Sequence, residues 1–190
     1  MSQQTPPASS QIIWKPYSRL NFRCVPENIL SWLQDASSLT QRLVTACPGK
    51  FRVEVLNEGW GKPAPNETVA LAMKPGTIAR IRQVRLLCDD RPWVFARTII
   101  PNSTLTGSVR RLRLLGDKPL GAVLFADPGM YRGQLEIAPI SRGSALYRDA
   151  MQTQRSRPAV IWGRRSVFYL SGKPLLVSEI FLPGLNSRQK

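Results

Sequence analysis

The sequence predicts an α+β fold, a single domain with a central antiparallel sheet flanked by helices. Its 190 residues, 43% of them hydrophobic, suffice for one domain with a real core but not for two. The strand-like segments come in pairs joined by connectors of hairpin length, which favours antiparallel pairing over parallel crossovers. Helical spacing appears outside these pairs, so we expect helices to cover one side of the sheet.

The N-terminal residues 1–12 are polar and contain two prolines, which is typical of a disordered tail. We therefore place the domain at 13–190. The N-terminus lacks the basic and apolar regions of a signal peptide, and no apolar run approaches the roughly 18 to 20 residues of a bilayer-spanning helix. We expect a cytoplasmic protein with no membrane span, and a monomer.

Two short helices are predicted near the start of the domain. Pro26 suits a first helical position, and apolar residues recur at helical spacing from there to Gln34. Ser38 and Gln41 have the spacing of a capping box, which makes Leu39 the first residue of the second helix. The backbone N–H of Leu39 is then one of the donors that a helix start leaves free.

Strand patterns begin after these helices. Residues 51–56 alternate with period two, and residues 81–87 and 93–100 flank the turn-like sequence Asp89-Asp-Arg-Pro92. The latter two segments therefore predict a hairpin.

A second hairpin is predicted near the C-terminus, where Ser171-Gly-Lys-Pro174 joins residues 162–170 to residues 175–182. Between the two hairpins, residues 105–114 have a helical pattern, and Gly116 is placed to end that helix.

The composition excludes several kinds of chemistry. The chain has no histidine, which removes the usual general base and the commonest metal ligand. It contains no glycine-rich phosphate loop, and we expect neither a metal nor an organic cofactor. Cys24, Cys47 and Cys88 lie far apart without CxxC spacing, so we expect reduced, mostly buried thiols rather than a zinc site or a disulfide framework.

The chain is strongly basic, with 27 Lys and Arg against 12 Asp and Glu. Such an excess attracts nucleic acid, an acidic membrane surface or a small polycarboxylate, and it is equally compatible with a plain solvated surface. Charge alone does not choose among these. We expect no nucleic-acid partner, because no RNP-like aromatic motif or zinc spacing accompanies the charge.

Glu179 is an acidic residue inside an otherwise apolar strand. Its own face also carries Val177 and Phe181, and the other face is apolar apart from Ser178. A strand covered on both sides would strip Glu179 of water. The pattern leaves two interpretations open: a buried ion pair with an arginine, or an acid or base that faces a cavity.

Arg82 has a similar position in the first hairpin. It shares a strand face with Val84 and Leu86, whereas Arg85 lies on the other face. Its guanidinium could hold a planar carboxylate through two parallel hydrogen bonds. By pattern alone, Arg80 is an equal candidate.

Four separated motifs together resemble the chorismate pyruvate-lyase family, bacterial enzymes that make 4-hydroxybenzoate for ubiquinone. The match runs in order from about residue 30 to residue 183. Its motifs are Arg97-Thr-Ile-Ile-Pro-Asn-Ser-Thr-Leu105, Leu115-Gly-Asp-Lys-Pro-Leu-Gly121, Trp162-Gly-Arg-Arg-Ser166, and Ser171-Gly-Lys-Pro174 followed by Glu179.

The resemblance implies a set of site residues. The family's carboxylate-binding arginine falls on Arg82, which separates it from Arg80, and the family's acidic residue falls on Glu179. Two further substrate contacts fall on Leu39 and Leu120, and we interpret both as main-chain contacts. The implied catalytic residues are Glu179 and Arg82, and the implied substrate-binding residues are Leu39, Arg82, Leu120 and Glu179.

The implied reaction eliminates pyruvate from chorismate without a cofactor. Arg82 would anchor the ring carboxylate, and Glu179 would bind the ring hydroxyl and could also act as the base. The enolpyruvyl carboxylate has three weaker candidate partners, Arg97, Arg164 and Arg165.

One segment departs from the family. Residues 138–158 are rich in Ser, Arg and Gln and longer than the corresponding part of its members, so we expect a surface loop or flap, or a short surface helix. The alternative function is a ligand sensor, because effector domains of GntR-type regulators resemble chorismate lyases in fold. A winged-helix DNA-binding domain would need more room than the chain has before Ile13.

Overall fold

A computed structural model describes residues 11–186 of the chain. Residues 1–10 of the predicted tail lie outside the described residues. The helices are α1 Glu27–Gln34, α2 Leu39–Ala46, α3 Pro65–Ala70, α4 Leu120–Phe125 and α5 Ala145–Met151. The strands are β1 Lys15–Pro16, β2 Phe51–Gly61, β3 Ala79–Cys88, β4 Arg91–Pro101, β5 Tyr131–Arg132, β6 Glu136–Ser141, β7 Val160–Leu170 and β8 Lys173–Phe181.

The strands form one sheet in the order β1-β6-β7-β8-β4-β3-β2, and the short β5 pairs with β7. Every pairing is antiparallel. The predicted α+β fold with a central antiparallel sheet is therefore confirmed. The sheet centre, β7-β8-β4-β3, consists of the two predicted hairpins lying side by side.

Both hairpins close through two-residue turns. Asp89 and Asp90 have φ of 46° and 62°, and Ser171 and Gly172 have φ of 49° and 72°. Positive φ at both turn residues matches the right-handed twist of the flanking strands. The sequence predicted four-residue connectors, but the last two residues of each connector pair within the ladder instead.

The first two helices start within one residue of their predicted positions, with Pro26 as the N-cap of α1 rather than its first residue. α1 begins one residue after Pro26, and the Ser38 hydroxyl accepts a hydrogen bond from the Gln41 N–H at 3.4 Å. Leu39 is the first residue of α2, as predicted. The segment Gly107–Leu114 is a 3-10 helix rather than an α-helix, and Gly116 follows it in the left-handed region at φ 54°.

Helices cover both faces of the sheet, so the expectation that they cover one side is wrong. Leu33 of α1 and Leu43 of α2 pack with Val84 in one core cluster. On the opposite face, Tyr147 of α5 packs with Ile180 in another. Apolar residues on both faces of the central strands require a cover on each side.

Residues 138–158 are not simply a surface loop or flap. Residues 138–141 belong to β6, which pairs with β7, and α5 follows. The helix buries Tyr147, Ala150 and Met151, which recur at helical spacing and anchor it to the sheet. The mostly exposed part is the stretch 152–157.

The prediction of three reduced cysteines is wrong. Cys47, just after α2, forms a disulfide with Cys88 at the end of β3, with the Cα atoms 5.7 Å apart. The two are 41 residues apart in sequence, and only the packing of α2 against the sheet brings them together. Cys24 is free and exposed.

Candidate active site

A cavity lies between the centre of the sheet and the starts of α2 and α4. Five neighbouring strands line its floor, β7, β8, β4, β3 and, through Val53, β2, and the two helix starts cover it. Its accessible volume is about 40 Å³, so the cavity is narrow. Its lining is Leu39, Thr40, Val53, Arg82, Val84, Leu86, Ala96, Thr98, Pro119, Leu120, Gly121, Leu124, Phe125, Phe168, Val177 and Glu179.

All four predicted site residues line this one cavity: Leu39, Arg82, Leu120 and Glu179. The two charged residues lie on β3 and β8, with β4 between them. Because neighbouring strands are about 4.8 Å apart, their backbones are separated by about 10 Å across the sheet. The cavity thus has a cationic end and an acidic end, and its middle is mostly apolar.

The middle of the floor is made of small side chains that the sequence analysis did not single out. Ala96 and Thr98 of β4 lie directly between Arg82 and Glu179 in the ladder, where Ala96 pairs with Glu179 and Thr98 with Arg82. Small residues two apart in a central strand leave space above the sheet. Their spacing along β4 was the available signal, but it becomes meaningful only once the partner strands are known.

Arg82 is 2% exposed and points into the region where the helix cover meets the sheet. Its Nη2 donates to the carbonyl oxygens of Gly116 at 2.8 Å and Lys118 at 3.2 Å, and its Nε lies 3.5 Å from Glu58 Oε2. Burial lowers the pKa of this guanidinium from its ordinary value, and Glu58 works against that shift. Arg82 therefore also holds the loop that leads into Leu120.

Arg80 does not compete for the cavity. Its Nε donates to Glu58 Oε1 at 3.1 Å, and Nη2 lies 2.9 Å from the same oxygen. Glu58 reaches both arginines because β2 contains an irregularity between Val55 and Asn57, after which Glu58 pairs with Arg82. The carboxylate is therefore shared, and Arg82 receives the looser contact.

Glu179 combines the two interpretations that its sequence position left open. Its Oε2 accepts a hydrogen bond from Arg164 Nε at 2.6 Å, which makes a buried ion pair. The same side chain lines the cavity and is 18% exposed. Arg164 is itself 1% exposed and donates Nη1 to the carbonyl oxygens of Trp32, at 2.7 Å, and Asp35.

Leu39 and Leu120 are the first residues of α2 and α4. Backbone N–H groups at a helix start have no partner within the helix and favour negative charge nearby. The two starts meet closely, since a Cβ on Gly121 would lie 2.8 Å from Thr40 Oγ1. Glycine at this position lets both helix starts approach the same end of the cavity as Arg82.

Two of the three arginines considered for a second carboxylate lie on the far side of the sheet. Arg97 makes a bidentate pair with Glu67, at 2.7 and 3.1 Å, on the opposite face. Arg165 pairs with Glu136 at 2.7 Å, also on that face. Both are therefore excluded as cavity contacts, and only Arg164 lies on the cavity side.

Within residues 11–186, no cluster of three or more His, Cys, Asp or Glu side chains could hold a metal ion. No helix in the same range is long and apolar enough to cross a membrane. What the cavity offers instead is fixed charge at both ends, two helix starts and a small apolar middle. This arrangement suits a planar ring with a carboxylate at one end and a hydroxyl at the other.

A family model described as "Chorismate lyase" matches residues 8–190. The chain belongs to the chorismate lyase family. A probable chorismate pyruvate-lyase of Aromatoleum aromaticum is 42% identical over 161 residues, covering 84% of this chain and 86% of the relative. One from Pseudomonas aeruginosa strain UCBPP-PA14 is 39% identical over 176 residues, covering 93% and 94%.

Solved structures of regulators share the fold at much lower identity. A GntR-family transcriptional regulator from Bacillus cereus has a TM-score of 0.53 at 11% identity, over 75% of this chain and 96% of that chain. The C-terminal domain of the histidine utilization repressor from Pseudomonas syringae pv. tomato has a TM-score of 0.52 at 12% identity, over 74% and 95%. At such identities the likeness concerns the fold alone.

Proposed function

We propose that this member of the chorismate lyase family converts chorismate to 4-hydroxybenzoate and pyruvate in the cytoplasm, for ubiquinone biosynthesis. The observation that carries the proposal is the meeting of Leu39, Arg82, Leu120 and Glu179 in one cavity. The four residues come from separate parts of the chain. Their convergence is what a binding site for one small ring compound requires.

Arg82 and the helix starts are the anchor for the ring carboxylate. Because Nη2 of Arg82 donates to two carbonyl oxygens, its Nη1 group is the one left to bind a carboxylate, and the N–H groups of Leu39 and Leu120 supply further donors. The carbonyl oxygens already bound to Arg82 fix its orientation. Because this end is buried, each of these contacts is stronger than it would be in water.

Glu179 binds the hydroxyl at the other end of the ring. The reaction breaks the C–H bond at the hydroxyl-bearing carbon and the neighbouring ether C–O bond. The electron pairs make the ring aromatic, and the enolpyruvate that leaves becomes pyruvate by taking up a proton at its methylene carbon. Glu179 Oε2 is held by Arg164, which orients the carboxylate towards the ring proton that it would accept as the base.

The protein's contribution is positioning and fixed charge. A narrow cavity holds the ring in the eliminating conformation, and nearby guanidinium groups stabilise the negative charge that develops on the departing oxygen. We propose that no metal and no organic cofactor take part, because the side chains and helix starts around the cavity can perform each of these tasks.

The test is to incubate the purified protein with chorismate in the presence of a chelator and to follow both products. We expect 4-hydroxybenzoate and pyruvate in equal amounts. Tight chorismate binding without either product would instead favour the ligand-sensing alternative, for which the fold of the regulators is the motivation. The 39–42% identity to probable lyases favours the enzyme.

A further inference from the structure

Chorismate carries a second carboxylate, on its enolpyruvyl arm, and the contacts proposed above leave it without a partner. The arm is attached to the ring carbon next to the one that carries the hydroxyl. Its carboxylate must therefore lie near the Glu179 end of the cavity and away from Arg82. A buried carboxylate at that place needs a cation or several hydrogen-bond donors.

Arg164, the sequence candidate that lies on the cavity side, is already paired with an acid. Its Nε is bonded to Glu179, and its Nη1 is bonded to the carbonyl oxygens of Trp32 and Asp35. It fixes the acid and ties α1 to the sheet. Drawing it towards a ligand would break the ion pair that orients Glu179.

Arg132 lies beside this pair on the same face of the sheet. It belongs to β5 and pairs with Phe168 of β7, a residue that lines the cavity. Its guanidinium carbon lies 5.2 Å from the centre of the Phe168 ring. Its Nε donates to Ser166 Oγ at 3.0 Å, and Ser166 is two residues from Arg164 along β7.

The guanidinium of Arg132 is held at two points and has donors left. Apart from the bond to Ser166, Nη1 donates to the carbonyl oxygen of Ala36 at 2.9 Å, in the loop just before α2. Both acceptors, a hydroxyl and a backbone carbonyl, are uncharged groups, and within residues 11–186 Arg132 has no ion pair of its own. The remaining Nη2 group and the second Nη1 hydrogen form the fork that suits a carboxylate.

The region around Arg132 carries more positive charge than its nearby carboxylates neutralise. Burial and the positive charge of Arg164 lower the pKa of Arg132, and the carboxylates of Glu179 and Asp35 act in the other direction. Asp35 is engaged by Arg42 at 2.9 Å. Two guanidinium groups therefore share Glu179 as their nearest acid, and an incoming carboxylate would restore neutrality.

We propose that Arg132 binds the enolpyruvyl carboxylate of chorismate, positioned by Ser166. This inference rests on the proposed function and assigns its second carboxylate site. When the C–O bond breaks, the same guanidinium lies close to the developing negative charge on the leaving enolpyruvate. The product 4-hydroxybenzoate has only the ring carboxylate, so Arg132 distinguishes substrate from product, whereas Arg82 binds both.

The experiment compares chorismate kinetics with 4-hydroxybenzoate affinity in Arg132→Gln, Arg132→Lys and Ser166→Ala. Losing charge-assisted hydrogen bonds in Arg132→Gln should lower kcat/KM for chorismate by roughly 10- to 100-fold. The Kd of 4-hydroxybenzoate should stay within about twofold of the wild-type value, because the product lacks the second carboxylate. Arg132→Lys should recover part of the loss, and Ser166→Ala should show a smaller defect of the same kind.

The matched control is Arg52→Gln, which removes one exposed arginine at the sheet edge, where it pairs with Asp90, and should leave both measurements unchanged. Equal weakening of chorismate and 4-hydroxybenzoate would show that Arg132 only supports the scaffold and would overturn the inference. So would unchanged chorismate kinetics in Arg132→Gln. An inactive wild-type protein would overturn the proposed function itself, a result distinct from both.

Discussion

The two faces of the sheet both bury arginines, but they neutralise them differently. On the face away from the cavity, each arginine has its own carboxylate: Arg97 has Glu67, Arg165 has Glu136 and Arg85 has Glu54. On the cavity face, Arg164 pairs with Glu179, and Arg82 shares Glu58 with Arg80 at the longer distance of 3.5 Å. The three cavity-face arginines, Arg82, Arg132 and Arg164, also donate to backbone carbonyl oxygens of the covering segments. These acceptors orient a guanidinium without cancelling its charge.

Under the proposed function, this difference in partners distinguishes the arginines that would bind substrate from those that stabilise the fold, which burial alone does not. A fully paired arginine such as Arg97 is electrostatically complete and offers nothing to a ligand. An arginine hydrogen-bonded to neutral acceptors, such as Arg132, keeps a positive charge that no carboxylate of its own cancels. The cavity face is therefore preorganised for an anion, and the proposed dicarboxylate substrate would supply the missing charges.

The sharpest test of this comparison is the same substitution on each face. Arg82→Gln should weaken 4-hydroxybenzoate binding by about 3 kcal/mol, or more than 100-fold, because a buried charge pair with the ligand is lost. Arg97→Gln should instead lower the free energy of unfolding by about 3 to 5 kcal/mol, because it leaves the Glu67 carboxylate buried and unpaired. Calorimetric titration and urea unfolding measure the two effects.

The comparison depends on which property each variant loses, ligand affinity or stability, more than on the size of either loss. A folded Arg97→Gln protein should bind 4-hydroxybenzoate as the wild type does. If it lost affinity as strongly as Arg82→Gln, the two faces would not be functionally distinct.

The disulfide joins the cover of the cavity to the sheet, since Cys47 follows α2 and Cys88 ends β3. Closing a loop of this length restricts the unfolded chain, so Cys88→Ser should lower the free energy of unfolding by about 4 kcal/mol. Urea unfolding of the oxidised protein and of the variant measures the loss. Adding a reductant should bring the wild type to the stability of the variant, and identical stability with and without reductant would contradict the role of the bond.

The third test exchanges one acid on each face for its amide. Glu179→Gln should reduce kcat by about 100-fold or more, as expected for loss of a general base or of a charged contact to the reacting ring. Glu136→Gln, which disturbs the comparable ion pair to Arg165, should leave kcat unchanged in the folded protein. Steady-state kinetics with chorismate measure both, and equal turnover in the two variants would remove Glu179 from the mechanism.

The smallest expected effect comes from the contact between the two helix starts. A methyl group in Gly121→Ala would meet Thr40 Oγ1 at 2.8 Å, so α4 or the threonine side chain must move by a few tenths of an ångström. We expect a rise in KM of about tenfold, corresponding to about 1.4 kcal/mol of misplaced substrate contacts, with a smaller change in kcat. The double variant Gly121→Ala with Thr40→Ser keeps the hydroxyl and should not restore KM, whereas Thr40→Ala should.

Local chemistry explains which predictions from the sequence were right. The capping pair Ser38 and Gln41 determines where α2 starts, and the turn residues at both hairpins determine which strands pair. Alternation along β8 places Glu179 on the face with Val177, which lines the same cavity. Each of these depends on residues within a few positions of one another, so the pattern was visible in the sequence.

The partners of the arginines could not be predicted from the local sequence. Arg97, Arg164 and Arg165 were equal candidates by sequence, and Arg132 was not considered at all. Their roles depend on which strand lies beside which, because a neighbour two strands away can be more than 30 residues distant along the chain. The irregularity in β2 was equally unpredictable from the local sequence. It places Glu58 beside Arg82, while Glu54 pairs with Arg85.

The sequence by itself therefore determined the α+β class, the two hairpins, the starts of α1 and α2, the family and the four residues proposed to contact the substrate. Only the tertiary structure decided that helices cover both faces, that residues 138–151 join the sheet and its cover, that Cys47 meets Cys88, and which arginines face the cavity. The physical reason is that turns and caps are short-range interactions, whereas ion pairing and burial depend on contacts between distant segments. Those contacts exist only after the sheet has formed.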